Sequence, residues 1–152
     1  VNAPVEGDLA PDFSLLGTEG EFTLSRHLGT PLCLAFYPGD FSPVCTMQLR
    51  DYSAHQDQFS LLGAQVIGIS SQPRDLHEAF RASAGITVPL LSDLDQEVAA
   101  RYGVLGPLGF YRRAVFVLDA SHRIAYRHIS RAGLSYQPST ALLAALGAAG
   151  AL

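Results

Sequence analysis

"LCLAFYPGDFSPVC", residues 32–45, passes from an apolar segment through a polar turn to a cysteine. Its apolar part, bounded by Pro31 and Pro38, has the pattern of a buried central strand. Ser42 is a favourable N-cap and Pro43 suits the first helical position, so a helix is expected from there to Gly63. Val44, Met47, Leu49, Tyr52 and Phe59 form its expected buried face. Cys33 lies within the strand, where a cysteine that only packs belongs. Cys45 falls in the first helical turn, at N3, where free N–H groups and the helix dipole favour negative charge. The thiolate is the reactive form of cysteine, so this position, in a polar, proline-rich turn, points to a nucleophile rather than a packing residue. The Ser42 hydroxyl, three residues earlier, is within reach of the sulfur or of a bound oxygen. Pro38 and Pro43 stiffen the turn and shield one side of it.

Outward from this segment, the first thirty residues carry turn signals at "APDF" and "GTEGEF", consistent with an extended arm and a short hairpin. "AQVIGIS" (64–70) reads as a second buried strand and "RDLHEAFRASAG" as the helix after it. "VPLLSD" is a third strand, followed by the helical "LDQEVAARYG". "RRAVFVLD" (112–119) and "RIAYRHIS" (123–130) flank the short connection "ASH", as in a hairpin, and Pro138 opens a last helix. Alternating strands and helices imply parallel strands covered by helices, and the closing hairpin makes the sheet mixed. This is the plan of an α/β, thioredoxin-like fold, a mixed central sheet flanked by helices, expected as a single domain over residues 1–152.

Composition excludes several functions. The chain is 48% hydrophobic and 16% charged, a globular profile. Its net charge is -4, and its ten basic residues are all arginines, scattered among fourteen acids, so no nucleic-acid partner is expected. "ALLAALGAAGAL" is too short to span a bilayer and reads as a packing helix, so no membrane association is expected. The start, "VNAPVEGDLAPDF", lacks the pattern of a signal peptide. Two cysteines make no disulfide scaffold, and a cytoplasmic location follows as the expectation. His27, His55, His77, His122 and His128 are dispersed, so no metal site is expected; His122 and His128 read as surface residues of the hairpin. Cys45 is followed by "TMQ", which removes a Cys-x-x-Cys disulfide oxidoreductase. A Cys-His hydrolase lacks a fitted histidine.

The segment "FYPGDFSPVC" resembles the peroxiredoxin active-site motif Pro-x-x-x-Thr/Ser-x-x-Cys, here Pro38, Ser42 and Cys45. "GDLAPDFSLLGTEGEFTLSRHLG" and "RRAVFVLDASHRIAY" are similar to the N-terminal stretch and later strand pair of that family. "CTMQLRDY" resembles the bacterioferritin-comigratory and one-cysteine alkyl hydroperoxide reductase E groups. The resemblance implies a thiol peroxidase for hydrogen peroxide and organic hydroperoxides, without metal or organic cofactor. Cys45 would be the peroxidatic cysteine and pass through a sulfenic acid. Arg113 would stabilise the thiolate and the developing oxygen charge, Ser42 would hold a peroxide oxygen, and Pro38 would keep water from the sulfur. Neighbours on a strand point to opposite faces, so one of Arg112 and Arg113 should enter the site, and the family pattern selects Arg113. Gln48 stands where many relatives carry Glu and is expected to hydrogen-bond near the site.

Many of the bacterioferritin-comigratory type carry a resolving cysteine five residues after the peroxidatic one, where this chain has Arg50. Cys33 lies about 17 Å of extended chain before Pro38, whereas a disulfide needs Cα atoms within roughly 7 Å. A one-cysteine mechanism is therefore expected, with an external thiol as reductant: a thioredoxin-like or glutaredoxin-like protein, or a small thiol. Phe36, Tyr37, Phe41 and Phe110 read equally as core and as an apolar rim suited to organic peroxides. "GPLGFY" (106–111) is a candidate surface for a homodimer, with a monomer equally compatible. The alternatives are a redox sensor in which oxidised Cys45 alters partner binding, and an inactive thioredoxin-like module.

Overall fold

The computed structural model describes residues 3–130 and 135–150. The chain forms β1 (Ser14–Gly17), β2 (Gly20–Thr23), β3 (Leu32–Phe36), α1 (Pro43–Ala54), α2 (Gln56–Leu61) and β4 (Gln65–Ser70). It continues through α3 (Arg74–Ala84), β5 (Leu90–Ser92), α4 (Glu97–Arg101), β6 (Ala114–Leu118), β7 (Ile124–Ile129) and α5 (Ser139–Gly150). The strands make one sheet in the order β2-β1-β5-β4-β3-β6-β7. Its centre, β5-β4-β3, is parallel. An antiparallel hairpin closes each side: β1–β2 beside β5, and β6–β7 beside β3. This is the mixed α/β, thioredoxin-like sheet expected, with the N-terminal hairpin incorporated into it.

The central strands are apolar on both faces because both are covered. Leu32, Leu34, Phe36, Ile67, Ile69, Phe116 and Leu118 pack with Val98, Ala99 and Tyr102 around α4. The alternate residues Cys33, Ala35, Val66, Val115 and Val117 pack with Leu49 and Tyr52 of α1, Phe59 of α2, Phe80 of α3, and Leu142 and Leu146 of α5. Period-two alternation thus sorts a continuous apolar run between two cores. Among the described residues, no helix is long and apolar enough to cross a membrane.

Two expectations about the helix after β3 are corrected. It does not run unbroken to Gly63; it stops at Ala54 and a separate helix, α2, begins at Gln56. The break at His55 coincides with a polar anchor: Asp51 accepts bonds from the backbone N–H (2.8 Å) and hydroxyl (2.9 Å) of Ser139, at the start of α5. After it the chain changes direction and Phe59 reaches the core. The buried face also differs. Cys45, Gln48, Leu49 and Tyr52 point inward, while Val44 is half-buried and Met47 is exposed. Gln48 takes the inward position because a hydrogen-bonding partner awaits it there.

Gly68 of β4 leaves room for the ring of Tyr37, the residue after β3. A Cβ at this position would lie 2.7 Å from Leu90 Cδ2 and 3.2 Å from Tyr37 Cε1, both within the packed interior. Gly68→Ala is expected to destabilise the fold by about 1–3 kcal/mol through overpacking, read as a lower urea midpoint with an unchanged m-value.

Candidate active site

Sheet register positions the site. In the antiparallel β3–β6 pair Phe36 lies opposite Ala114, so Arg113 stands level with Tyr37, where the chain leaves the sheet towards α1. Ser42 holds the N-cap position of α1, Pro43 is N1 and Cys45 is N3. The Ser42 carbonyl accepts bonds from the backbone N–H (2.8 Å) and hydroxyl (2.7 Å) of Thr46, whereas its own hydroxyl makes no capping bond. Cys45 faces the sheet beside the start of β6. The buried Arg113 Nη1 donates to Cys45 Sγ at 3.3 Å and to Gln48 Oε1 at 2.6 Å. Gln48 Nε2 donates to the Tyr52 hydroxyl (3.1 Å), which donates to the Gln137 carbonyl (2.6 Å). Every polar group in this line has its direction set by the next, which fixes the Gln48 amide with its oxygen towards Arg113.

The two cysteines do not differ in burial, contrary to the expectation that Cys45 stands apart from the packed interior: both are fully buried. They differ in their neighbours. Cys33 sits between Val66 and Val117 of the adjoining strands, whereas Cys45 faces a guanidinium at a helix start. Arg112 points away, into an open cleft with Leu105, Arg127 and His128. Pro38 is exposed at the turn. The four aromatic candidates divide: Phe36 and Tyr37 are core, and Phe41 and Phe110 are exposed. Leu108 is also exposed, at the tip of the 106–111 turn. His122 is not a surface residue; it is buried in the hairpin turn, with Nε2 3.1 Å from the Thr30 carbonyl.

One feature of this region escaped the sequence reading. Tyr37 and Asp40 of the turn converge on His77 of α3: the Tyr37 hydroxyl donates to Asp40 Oδ1 (2.6 Å), and His77 Nδ1 lies 2.7 Å from Asp40 Oδ2. The Asp40 and His77 side chains are fully buried. The available signal was helical spacing, since His77 and Phe80 share the inward side of α3. Among the described residues no group of three or more His, Cys, Asp or Glu is arranged to hold a metal ion.

The site is thus a cysteine at a helix start, on a thioredoxin-like sheet, facing a buried arginine. The AhpC/TSA family model matches residues 6–127, and the chain belongs to that family. A peroxiredoxin of Thermoplasma volcanium is 33% identical over 131 residues, 80% of this chain; the chain spans 64% of that relative's length, under two thirds. Among solved structures, peroxidoxin BcpB of Mycobacterium tuberculosis superposes with a TM-score of 0.84 at 30% identity, covering 95% of this chain and 97% of that one. The bacterioferritin comigratory protein of Xanthomonas campestris, solved in work on its alkyl peroxide reduction activity, gives a TM-score of 0.81 at 27% identity, covering 91% and 92%.

Burial pushes the Cys33 thiol far above its ordinary range. The folded chain therefore keeps a proton that the unfolded chain loses above about pH 8.5. Stability from this group is fully present below that pH and declines above it, by about 1.4 kcal/mol per pH unit. Cys33→Ala is expected to flatten the fall in unfolding free energy between about pH 8.5 and 10, measured by urea titration across that range.

Proposed function

We propose that this protein is a thiol peroxidase that reduces hydrogen peroxide and organic hydroperoxides at Cys45, with no metal or organic cofactor. The observation that carries this reading is the 3.3 Å contact between Arg113 Nη1 and Cys45 Sγ at the start of α1. A buried guanidinium and the helix N-terminus both favour the anionic, nucleophilic sulfur. The same positive groups oppose the charge that develops on the departing oxygen, in a site where water screens little. Alkyl peroxide reduction in the Xanthomonas campestris relative supports the same substrate class here.

In the first step the Cys45 thiolate attacks one peroxide oxygen and the O–O bond breaks. The sulfur becomes a sulfenic acid, and the other oxygen leaves as alkoxide or hydroxide and takes a proton. Sulfur loses two electrons and the peroxide gains them. Arg113 stabilises both ends of this displacement. Ser42, whose hydroxyl is not used in capping, holds a peroxide oxygen, and Pro38 shapes the mouth of the turn. In the second step an external thiol attacks the sulfenic sulfur, forming a mixed disulfide and releasing water. A second thiol then releases Cys45 and leaves as the disulfide. Cys33 takes no part, because it is enclosed by β4 and β6. A reducing compartment such as the cytoplasm supplies the thiol, carried by a thioredoxin-like or glutaredoxin-like protein or a small molecule.

Stopped-flow mixing with stoichiometric hydrogen peroxide, followed by mass spectrometry, tests the reading. The wild type is expected to react far faster than a free thiol, giving a sulfenic acid or mixed disulfide and no Cys33–Cys45 bond. Cys45→Ser abolishes the reaction, and Arg113→Ala slows it by about a hundredfold, the scale of losing one positioned charge donor. A wild-type rate no faster than a free thiol would overturn the proposal.

A further inference from the structure

On the α4 face of the sheet, the face turned away from Cys45, the chain forms an open cleft of about 700 Å³ lined by Gly103, Leu105, Arg112, Arg127, His128 and Ile129. Sheet register accounts for the two arginines. Arg127 stands opposite Phe116 and Ile129 opposite Ala114, so both emerge on the face where Phe116 packs with Tyr102. Arg112 shares the parity of Ala114 and Phe116 and joins them there, whereas Arg113 passes to the other side. The opposing wall is a tight reversal of residues 104–112. Leu105 bridges Tyr111, the Gly106 N–H donates to the Phe110 carbonyl (2.7 Å), and the Arg112 N–H donates to the Val104 carbonyl (2.7 Å).

Both arginines are half-buried and held in place. Arg127 Nη1 donates to the Pro4 carbonyl at 2.9 Å, which leaves its other N–H groups for a further partner. The Arg112 side chain lies across Gly106, where a Cβ would meet its Cγ at 3.4 Å and its Nε at 3.7 Å. Among the described residues neither guanidinium pairs with a carboxylate, and no acidic residue lines the cleft. Two arginines turned into one cleft repel each other unless an anion joins them. The surrounding chain has the opposite balance, with a net charge of -4.

We propose that this cleft binds a small organic phosphate. Guanidinium forks match the oxygens of phosphate and carboxylate alike. A phosphate monoester carries close to two negative charges at neutral pH, which balances two arginines where a single carboxylate does not. His128, exposed at the rim, supplies a further N–H donor, and Leu105 and Ile129 offer apolar surface to the organic part. The volume exceeds that of a lone phosphate ion and falls in the range of small-molecule sites. The site lies apart from the reaction at Cys45, and it stands or falls independently of the peroxidase reading.

Isothermal titration of the reduced protein with adenosine 5′-monophosphate at low ionic strength tests the proposal. One molecule is expected to bind per chain, inorganic phosphate more weakly, and adenosine not at all. Arg112→Ala and Arg127→Ala are each expected to weaken binding about tenfold, the scale of hydrogen bonds lost from a charged group. Arg112→Lys keeps the charge without the fork and is expected to fall between Arg112→Ala and the wild type. Arg127→Ala also loses the Pro4 contact; if it does not fold, the two Arg112 variants decide. In NMR titrations the amide signals of residues 103–106 and 127–129 are expected to shift, while those of Val44, Cys45 and Thr46 stay in place. Equal affinity in Arg112→Ala and the wild type would overturn the site, as would the absence of saturable binding. Shifts centred on Cys45 would place the anion at the helix start instead and overturn it too. Inorganic phosphate binding as tightly as the nucleotide would leave an adventitious ion only and overturn the assignment to an organic phosphate.

Discussion

The antiparallel pairing of β3 with β6 is the constraint on which the site depends. Cys45 and Arg113 are 68 positions apart in the chain, and no local preference brings them together. Phe36 opposite Ala114 does so, because it aligns the end of one strand with the beginning of the other. A slip of one residue would turn every side chain of β6 to the opposite face. Arg113 would then exchange places with Arg112, and Phe116 would leave the core it shares with Phe36 and Tyr102. The cost of misplacing that aromatic core makes the arginine's position robust.

Burying a guanidinium is unfavourable unless its donors find acceptors. Here Nη1 donates to both Cys45 and Gln48, and the line continues through Tyr52 to the Gln137 carbonyl. The helix that bears the cysteine is consequently anchored twice. Its later turns are tied to the segment before α5 and to Ser139, through Tyr52 and Asp51. The turn that leads into it is tied to α3 through Asp40. The first anchor fixes the arginine's surroundings, and the second fixes the turn through which the chain enters α1.

Much of this was legible locally. The strand at 32–36, the helix start after Ser42, both hairpins and the final helix rest on proline placement, capping preference and apolar runs, which act over a few residues. The break at His55 was not legible, and it coincides with contacts between Asp51 and Ser139 that only the fold brings together. The inward turn of Gln48 in place of Met47 was legible only through the family resemblance, since hydropathy ranks the two in the opposite order and Arg113 reverses it. His77 was passed over for the same reason: its partner Asp40 lies 37 positions away.

The amino-acid sequence by itself determined the succession of strands and helices and put a cysteine at N3 of a helix, since those follow from short-range backbone preferences and apolar spacing. It also carried the family motif, Pro38, Ser42 and Cys45, within a single turn. The family resemblance singled out Arg113 and Gln48, but local backbone preferences ranked Arg112 and Arg113 alike, and only the tertiary structure shows why Arg113 faces the sulfur and which polar side chains are buried with it. Those outcomes depend on sheet register and on helices packed from distant parts of the chain, and a buried polar group is tolerable only where the completed fold supplies its partner.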